Sequence, residues 1–142
     1  MDHVVYLDAK AKEMERILDG TKTMIIRGAA GRKLPYGRVK VGDTLFFINN
    51  NAEGMVKALG VVSNVFNSEK MTKKESSDLV NSNQDKLQLT DRQMKRWAGK
   101  RYIVLIEVVN AVSIKPFKID KSDYGNMDDW LLVGDISKVK ET

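Results

Sequence analysis

The sequence has no cysteine, a single histidine and only two prolines among its 142 residues. Without cysteine the chain has no disulfides, no thiol nucleophile and no cysteine-ligated zinc. A lone histidine, His3, excludes a histidine-rich metal site and argues against a Ser-His-acid triad. Because His3 lies in a short β-prone run, a structural role is favoured for it.

Long hydrophobic runs are also missing. No stretch of about 18 apolar residues is present, so no membrane-spanning helix is expected. The first six residues, Met-Asp-His-Val-Val-Tyr, lack the basic region, apolar stretch and cleavage site of a secretory signal. Together with the absence of cysteine, this predicts a cytoplasmic protein with no membrane partner.

Several motifs of common enzymes are absent. Neither a Gly-x-x-x-x-Gly-Lys-Ser/Thr loop nor a Gly-x-Gly-x-x-Gly turn occurs, and no Gly-x-Ser-x-Gly elbow is present. Asp128 and Asp129 are the only adjacent carboxylates, and neighbours in sequence point in different directions on a helix or strand. The sequence therefore predicts no metal site, no cofactor and no glycosidase-like carboxylate pair.

What the chain does have is an ordinary globular composition and a concentrated positive charge. Hydrophobic residues make up 42% and charged residues 30%, which suits one domain over residues 1–142. The formal net charge is +5, and residues 20–42 contain six basic side chains and no acidic one. These are Lys22, Arg27, Arg32, Lys33, Arg38 and Lys40. Such a segment favours a polyanionic partner such as RNA or a nucleotide.

Hydrophobic patterning predicts mostly strands. We expect them at residues 3–7, 23–27, 41–48, 55–66, 101–114 and 130–133, with the fifth ending before Pro116 and Phe117. A helix is expected over residues 9–18, capped by Asp8 and ended by Gly20. Residues 68–99 form a polar insertion with two capping boxes, Thr72 to Glu75 and Thr90 to Gln93. The element order predicts an α+β fold with a curved or closed, antiparallel-rich mixed sheet and a few short peripheral helices.

Residues 20–27 hold the most distinctive basic pair. Lys22 offers a movable point charge, and Arg27 a planar fork suited to a phosphate or a base edge. The pair could cradle a nucleotide phosphate, or Lys22 could act as a base if burial lowered its pKa. On these residues alone, a solvated hairpin with basic ends is the simpler interpretation.

The same segment resembles the signature of a known family. Gly20, Lys22 and Arg27 match the Gly-x-Lys-x-x-Glu-x-Arg motif of ASCH domains, which belong to the PUA-like superfamily. The Gly-Asp step at residues 42–43, followed by an apolar strand, is also similar. Ile25 stands where the family has its glutamate. The resemblance implies a PUA-like β-barrel.

The resemblance also implies a ligand and a place for it. RNA or a modified nucleotide would bind in a basic cleft beside the first helix and the mouth of the barrel. The residues predicted to line that site are Gly20, Lys22, Thr23, Arg27, Arg32, Lys33, Tyr36, Arg38 and Lys40. The loop that carries the last five is predicted to be a flexible lid, with Tyr36 at a tip that has little core to join.

Two other functions stay open. Some small ASCH proteins hydrolyse acylated cytidine, and by this resemblance Lys22 would be catalytic. Ile25 stands where those proteins have a threonine, with only Thr21 and Thr23 nearby. The basic loop could instead bind an acidic protein, making the chain an interaction module.

Four further aromatic and polar residues could contact bases. Trp97 and Tyr102 could stack on a base, although a core role is favoured, and Asn49 and Asn50 are explained more simply by a turn. A second basic cluster is interpreted as a solvated helix face. It consists of Arg92, Lys95, Arg96, Lys100 and Arg101.

Overall fold

A computed structural model of the chain describes residues 1–125 and 128–141. Its strands are β1 (Asp2–Leu7), β2 (Met24–Ala29), β3 (Thr44–Asn49), β4 (Met55–Asn67), β5 (Tyr102–Lys118) and β6 (Trp130–Gly134). The helices are α1 (Glu13–Leu18), α2 (Lys73–Ser82), α3 (Gln84–Leu87) and α4 (Asp91–Trp97), followed near the end by a 3-10 turn (Ile136–Lys138). The predicted α+β class is confirmed.

The six strands form one mixed sheet in the order β2-β5-β4-β3-β1-β6. Only the β1–β3 pair is parallel among the strand pairs within residues 1–125 and 128–141. Along β4, the side chains of Val56, Ala58 and Val62 are buried and alternate with more exposed ones. This period-two burial leaves one face of the strand for the core. The sheet curls so that β2 and β6, at its two ends, approach each other near Arg27 and Trp130.

The helices follow their capping signals with one exception. Thr72 accepts a hydrogen bond from the Glu75 amide at 3.1 Å, and Thr90 accepts one from the Gln93 amide at 3.3 Å, so both predicted capping boxes are confirmed. The first helix is shorter than predicted. Asp8 bonds the amide of Ala11 at 3.0 Å in a preceding turn, and α1 begins only at Glu13.

The fifth strand is longer than predicted. It continues through Pro116 to Lys118, so the expected end before Pro116 was wrong. The β2 strand pairs only with Tyr102–Glu107, and the five β5 residues from Ser113 to Phe117 lie opposite the three β4 residues from Val56 to Ala58. Proline is tolerated in a strand at such a bulge or free edge, where its missing amide hydrogen costs no ladder bond.

His3, in β1, is fully buried and contacts Trp130 of β6 and Asp43, which directly precedes β3. The Trp130 indole donates to His3 Nδ1 at 3.0 Å, and His3 Nε2 lies 2.8 Å from Asp43 Oδ2. Because an indole can only donate, Nδ1 must accept and the ring hydrogen must sit on Nε2. His3 thus has the structural position that its sequence context favours. No helix within the described residues is long and apolar enough to cross a membrane.

Candidate functional site

Arg27 sits where the two ends of the curled sheet meet. It is 7% exposed, and its guanidinium donates to the carbonyls of Ile26 at 2.8 Å and Tyr6 at 2.7 Å. Its Nε lies 3.3 Å from Asp129 Oδ2. The guanidinium also lies over the ring of Trp130, at 5.6 Å from the centroid. Arg27 therefore joins β2 to β1 and to the start of β6, while its positive charge faces the adjoining space.

That space is a cleft of about 160 Å³. The basic side chains on its walls are Arg27, Lys33, Arg96 and Lys100, and the aromatic ones are Tyr36, Trp97 and Tyr102. Asp129 is the only carboxylate on its walls within the described ranges 1–125 and 128–141. The cleft thus combines a surplus of positive charge with aromatic rings, and its walls come from β2, the loop after it, the end of α4 and the segment before β6.

The loop between β2 and β3 is anchored by Tyr36. The hydroxyl of Tyr36 donates to the Ser68 carbonyl, and its ring packs edge-on against Tyr102 at 5.7 Å between centroids. The amide of Gly37 donates to the Asn67 side chain at 2.9 Å. The expectation that Tyr36 has little core to join was wrong, because the ends of β4 and β5 supply the contacts that a loop tip would lack. Arg32 completes this wall, with its guanidinium 5.5 Å from the centroid of Tyr102.

Helix α4 supplies a wall that the sequence did not predict. Trp97 is only 7% exposed, yet it lies beneath Arg96, whose guanidinium is 4.3 Å from the centroid of its ring. Arg96 and Lys100 line the cleft, whereas Arg92 pairs with Asp8 at 2.7 Å. The cluster is exposed as the sequence predicts, and Arg96 and Lys100 in addition line the cleft. In the sequence, Arg96 and Lys100 flank Trp97, and this combination of basic and aromatic residues is the signal that could have identified them as site residues.

Lys22 lies behind the cleft instead of in it. Its side chain is 1% exposed, and its ammonium group donates to the Leu87 carbonyl and lies 3.4 Å from Glu13 Oε2. Burial lowers the pKa of the Lys22 ammonium group because desolvation disfavours the charged form, although the Glu13 carboxylate acts in the opposite direction. Ile25, at the position of the family's glutamate, is fully buried in the core. The carboxylate beside Lys22 comes from α1 instead.

The nine predicted site residues therefore separate into three groups. Arg27, Lys33 and Tyr36 line the cleft, and Arg32 adjoins it through its contacts with Tyr36 and Tyr102. Lys22 is buried behind it. Four residues are exposed elsewhere and do not line the cleft: Gly20, Thr23, Arg38 and Lys40. Within the part of the chain that the structure describes, no group of three or more acidic or histidine side chains could hold a metal ion.

No model of a known protein family matches the sequence, and no curated protein does either. Solved structures are similar. An ASCH protein from Zymomonas mobilis matches with a TM-score of 0.69 and 12% identity, over 96% of this chain and 91% of that one. Two single-residue variants of it, tyrosine to phenylalanine and serine to alanine, give the same TM-score, with 94% and 92% of their chains covered. The chain therefore has the fold of the ASCH structures, a PUA-like fold of the α+β class.

Proposed function

We propose that the protein binds single-stranded RNA, or a nucleotide of the same chemistry, in the cleft between the Tyr36 loop and α4. The observation that carries the proposal is the grouping of four basic side chains and three aromatic rings around one space of about 160 Å³. Together the two groups match the two parts of a nucleotide, since cations bind its phosphate and aromatic rings stack on its base.

The charges favour a phosphate ligand. Lys33 and Lys100 are exposed and line the cleft from two separate segments, the loop after β2 and the residues between α4 and β5, so a phosphate in the cleft could contact both. Arg96 adds a third exposed charge, while Arg27 contributes a fixed one from the floor. Asp129 offsets only part of this charge, since it also lies near Arg27 and Arg96. Affinity that rests on such contacts falls as salt rises.

The rings favour an unpaired base. Bases stack on aromatic side chains only when they are free of a duplex, and such stacking tolerates any sequence. Tyr36 and Tyr102 are half-buried, so each leaves part of its ring accessible beside Lys33 and Lys100. We therefore expect single strands to bind more tightly than duplexes of the same length.

A binding assay with matched charge variants tests this proposal. Labelled single-stranded RNA of about ten nucleotides would be titrated at two salt concentrations. We expect the Lys33→Gln, Lys100→Gln double variant to bind more weakly and to reduce the salt slope by about 1.4, as two lost phosphate contacts on a single strand predict.

The control is Lys95→Gln with Lys115→Gln, which removes the same charge from exposed positions outside the cleft. It should bind nearly as the unchanged protein does. Equal weakening by both variants would reduce the effect to net charge and would overturn the proposal. No RNA binding at low salt, with recovery of an acidic protein partner, would favour an interaction module instead.

One observation supports hydrolysis of an acylated nucleoside as a second candidate. Glu13, the partner of Lys22, also lines a small recess of about 40 Å³ that Arg27 and Trp97 share. A carboxylate and an ammonium group of lowered pKa could move a proton there. We rank this below binding because the Lys22 side chain is 1% exposed. Release of acetate from acetylated cytidine, lost in Glu13→Gln, would support it; no turnover at high enzyme concentration would exclude it.

A further inference from the structure

A second chamber adjoins the basic cleft and has no role in the proposal so far. It measures about 490 Å³ and lies at the ends of β1 and β3. Arg96 and Asp129 line both spaces, and the small recess between them shares Tyr6 and Asn50 with the chamber and Trp97 with the cleft. The three spaces therefore adjoin one another along shared walls, and together we call them the groove.

The cleft and the chamber, at the two ends of the groove, differ in volume. Pockets that hold small ligands commonly measure about 300–1,000 Å³. The cleft, at about 160 Å³, is smaller than this range, while the chamber, at about 490 Å³, lies within it. A nucleotide held only by the cleft would leave much of its surface in water, so a ligand that fits the groove must extend into the chamber.

The cleft and the chamber also differ in the net charge of their walls. On the chamber walls, the cations of Arg96 and Lys121 are balanced by the carboxylates of Asp128 and Asp129. In the cleft, four cations face Asp129 alone among the described residues. Phosphates would thus stay in the cleft, and a neutral polar group would suit the chamber.

One side chain of the chamber has a hydrogen-bonding atom without a partner. Asn49 lines the chamber, and its buried Oδ1 atom has no hydrogen-bond partner among residues 1–125 and 128–141. A buried polar atom without a partner costs free energy that a ligand could recover. Side-chain amides present a donor beside an acceptor, which is the pattern of a base edge. Lys121 lies over the ring of Tyr6, with 4.9 Å from its Nζ to the centroid, and closes one side.

We infer, on the basis of the proposed function, that the chamber binds a nucleobase of the RNA strand whose phosphates lie in the basic cleft. The base hydrogen-bonds the Asn49 side chain, and the strand passes Arg96 between the two spaces. The Arg96–Asp129 contact of 3.5 Å does not block this path, because both side chains are partly exposed, at 60% and 35%, and such pairs are weak. Arg96 can turn from Asp129 to a passing phosphate.

Two probes distinguish the ends of the groove. One is an RNA of five nucleotides, and the other is a ribose-phosphate oligomer of the same length without bases. Asn49→Ala removes the amide without changing charge, and Ala52→Gln adds bulk at an exposed turn position on the chamber wall. Asn81→Ala is the control, because it removes an exposed amide from α2, outside the groove.

We expect Asn49→Ala and Ala52→Gln each to weaken RNA binding about tenfold, which corresponds to one lost base contact. Binding of the baseless oligomer should not change, and Asn81→Ala should behave as the unchanged protein. If neither variant affects RNA while Lys33→Gln, Lys100→Gln weakens both probes, the chamber inference is wrong and the proposed function stands. If the unchanged protein binds neither probe, the proposed function itself fails. Equal weakening of both probes by a chamber variant would also overturn the inference.

Discussion

Two buried cations lie at the cleft, Arg27 on its floor and Lys22 behind it, and they are held by different partners. Arg27 uses carbonyl oxygens, the Asp129 carboxylate and tryptophan rings, so its charge is shared among several partners. Lys22 relies on the Glu13 carboxylate and one carbonyl. The motif in the sequence identified both cations as important but could not show that Lys22 is enclosed. Its partner Glu13 is nine positions away on α1, and the pairing arises only when α1 packs against the turn after it.

The lowered pKa of Lys22 predicts how stability depends on pH. Between the lowered value and the ordinary value of 10.5, the unfolded chain binds more protons at this site than the folded chain does. The free energy of unfolding therefore gains a contribution from Lys22 that rises with pH across this window. We expect Lys22→Met to be less stable by about 3–5 kcal/mol at neutral pH, because Glu13 loses its partner.

Urea denaturation from pH 7 to 10.5 measures both effects. The stability difference between the unchanged protein and Lys22→Met should grow as the pH rises. A difference that stays constant or shrinks would mean that burial does not lower the pKa of Lys22. Glu13→Gln in the Lys22→Met background should recover part of the lost stability, since it removes the unpaired charge.

At the scale of elements, the sequence predicted which helices and strands are present better than it predicted the residues at which they begin and end. The capping boxes of α2 and α4 were correct because each depends on residues three positions apart. The predicted end of β5 was wrong because β5 continues to pair with the start of β4 up to Lys118, and the sequence pattern does not show this long-range pairing. The role of α4 was missed for the same reason, since Arg96 and Lys100 become site residues only through the distant Asp129 and the Tyr36 loop.

The irregular pairing of β4 with β5 between Leu59 and Val61 leads to a prediction at Gly60. A Cβ atom at this position would lie 2.5 Å from Val108 Cγ1 and 3.3 Å from the Phe47 ring. We expect Gly60→Ala to lower the free energy of unfolding by about 1–3 kcal/mol, the usual cost of overpacking a core. Thermal or urea unfolding would measure it.

Shortening Val108 should relieve the clash. In the Val108→Ala background, Gly60→Ala should cost clearly less than it does alone, as contacting residues are not additive. Equal costs in both backgrounds would place the strain elsewhere, for example against Phe47.

On the scale of the whole molecule, the site is a consequence of the curl of the sheet. The curl brings the β2 end, the loop after it, α4 and the segment before β6 to one side, although they are up to about a hundred positions apart in sequence. The sequence predicted the α+β class, the mixed sheet and a basic site within residues 20–42, of which Arg27, Lys33 and Tyr36 line the cleft. It could not predict the opposite wall, because strand order, which the hydrophobic pattern does not encode, decides which distant segments meet.

The most direct test of RNA binding in this cleft is a titration followed by nitrogen-proton correlation spectra of the folded protein. The chain has two tryptophans, so two indole signals report on it. Trp97 lines the cleft, while the indole of Trp130 is bonded to the buried His3 and serves as an internal reference. Adding a short single-stranded RNA should shift the Trp97 indole and the amides of Gly28, Gly31 and Lys100 most strongly. Shifts confined to the far ends of β4 and β5, with these signals unchanged, would contradict the account.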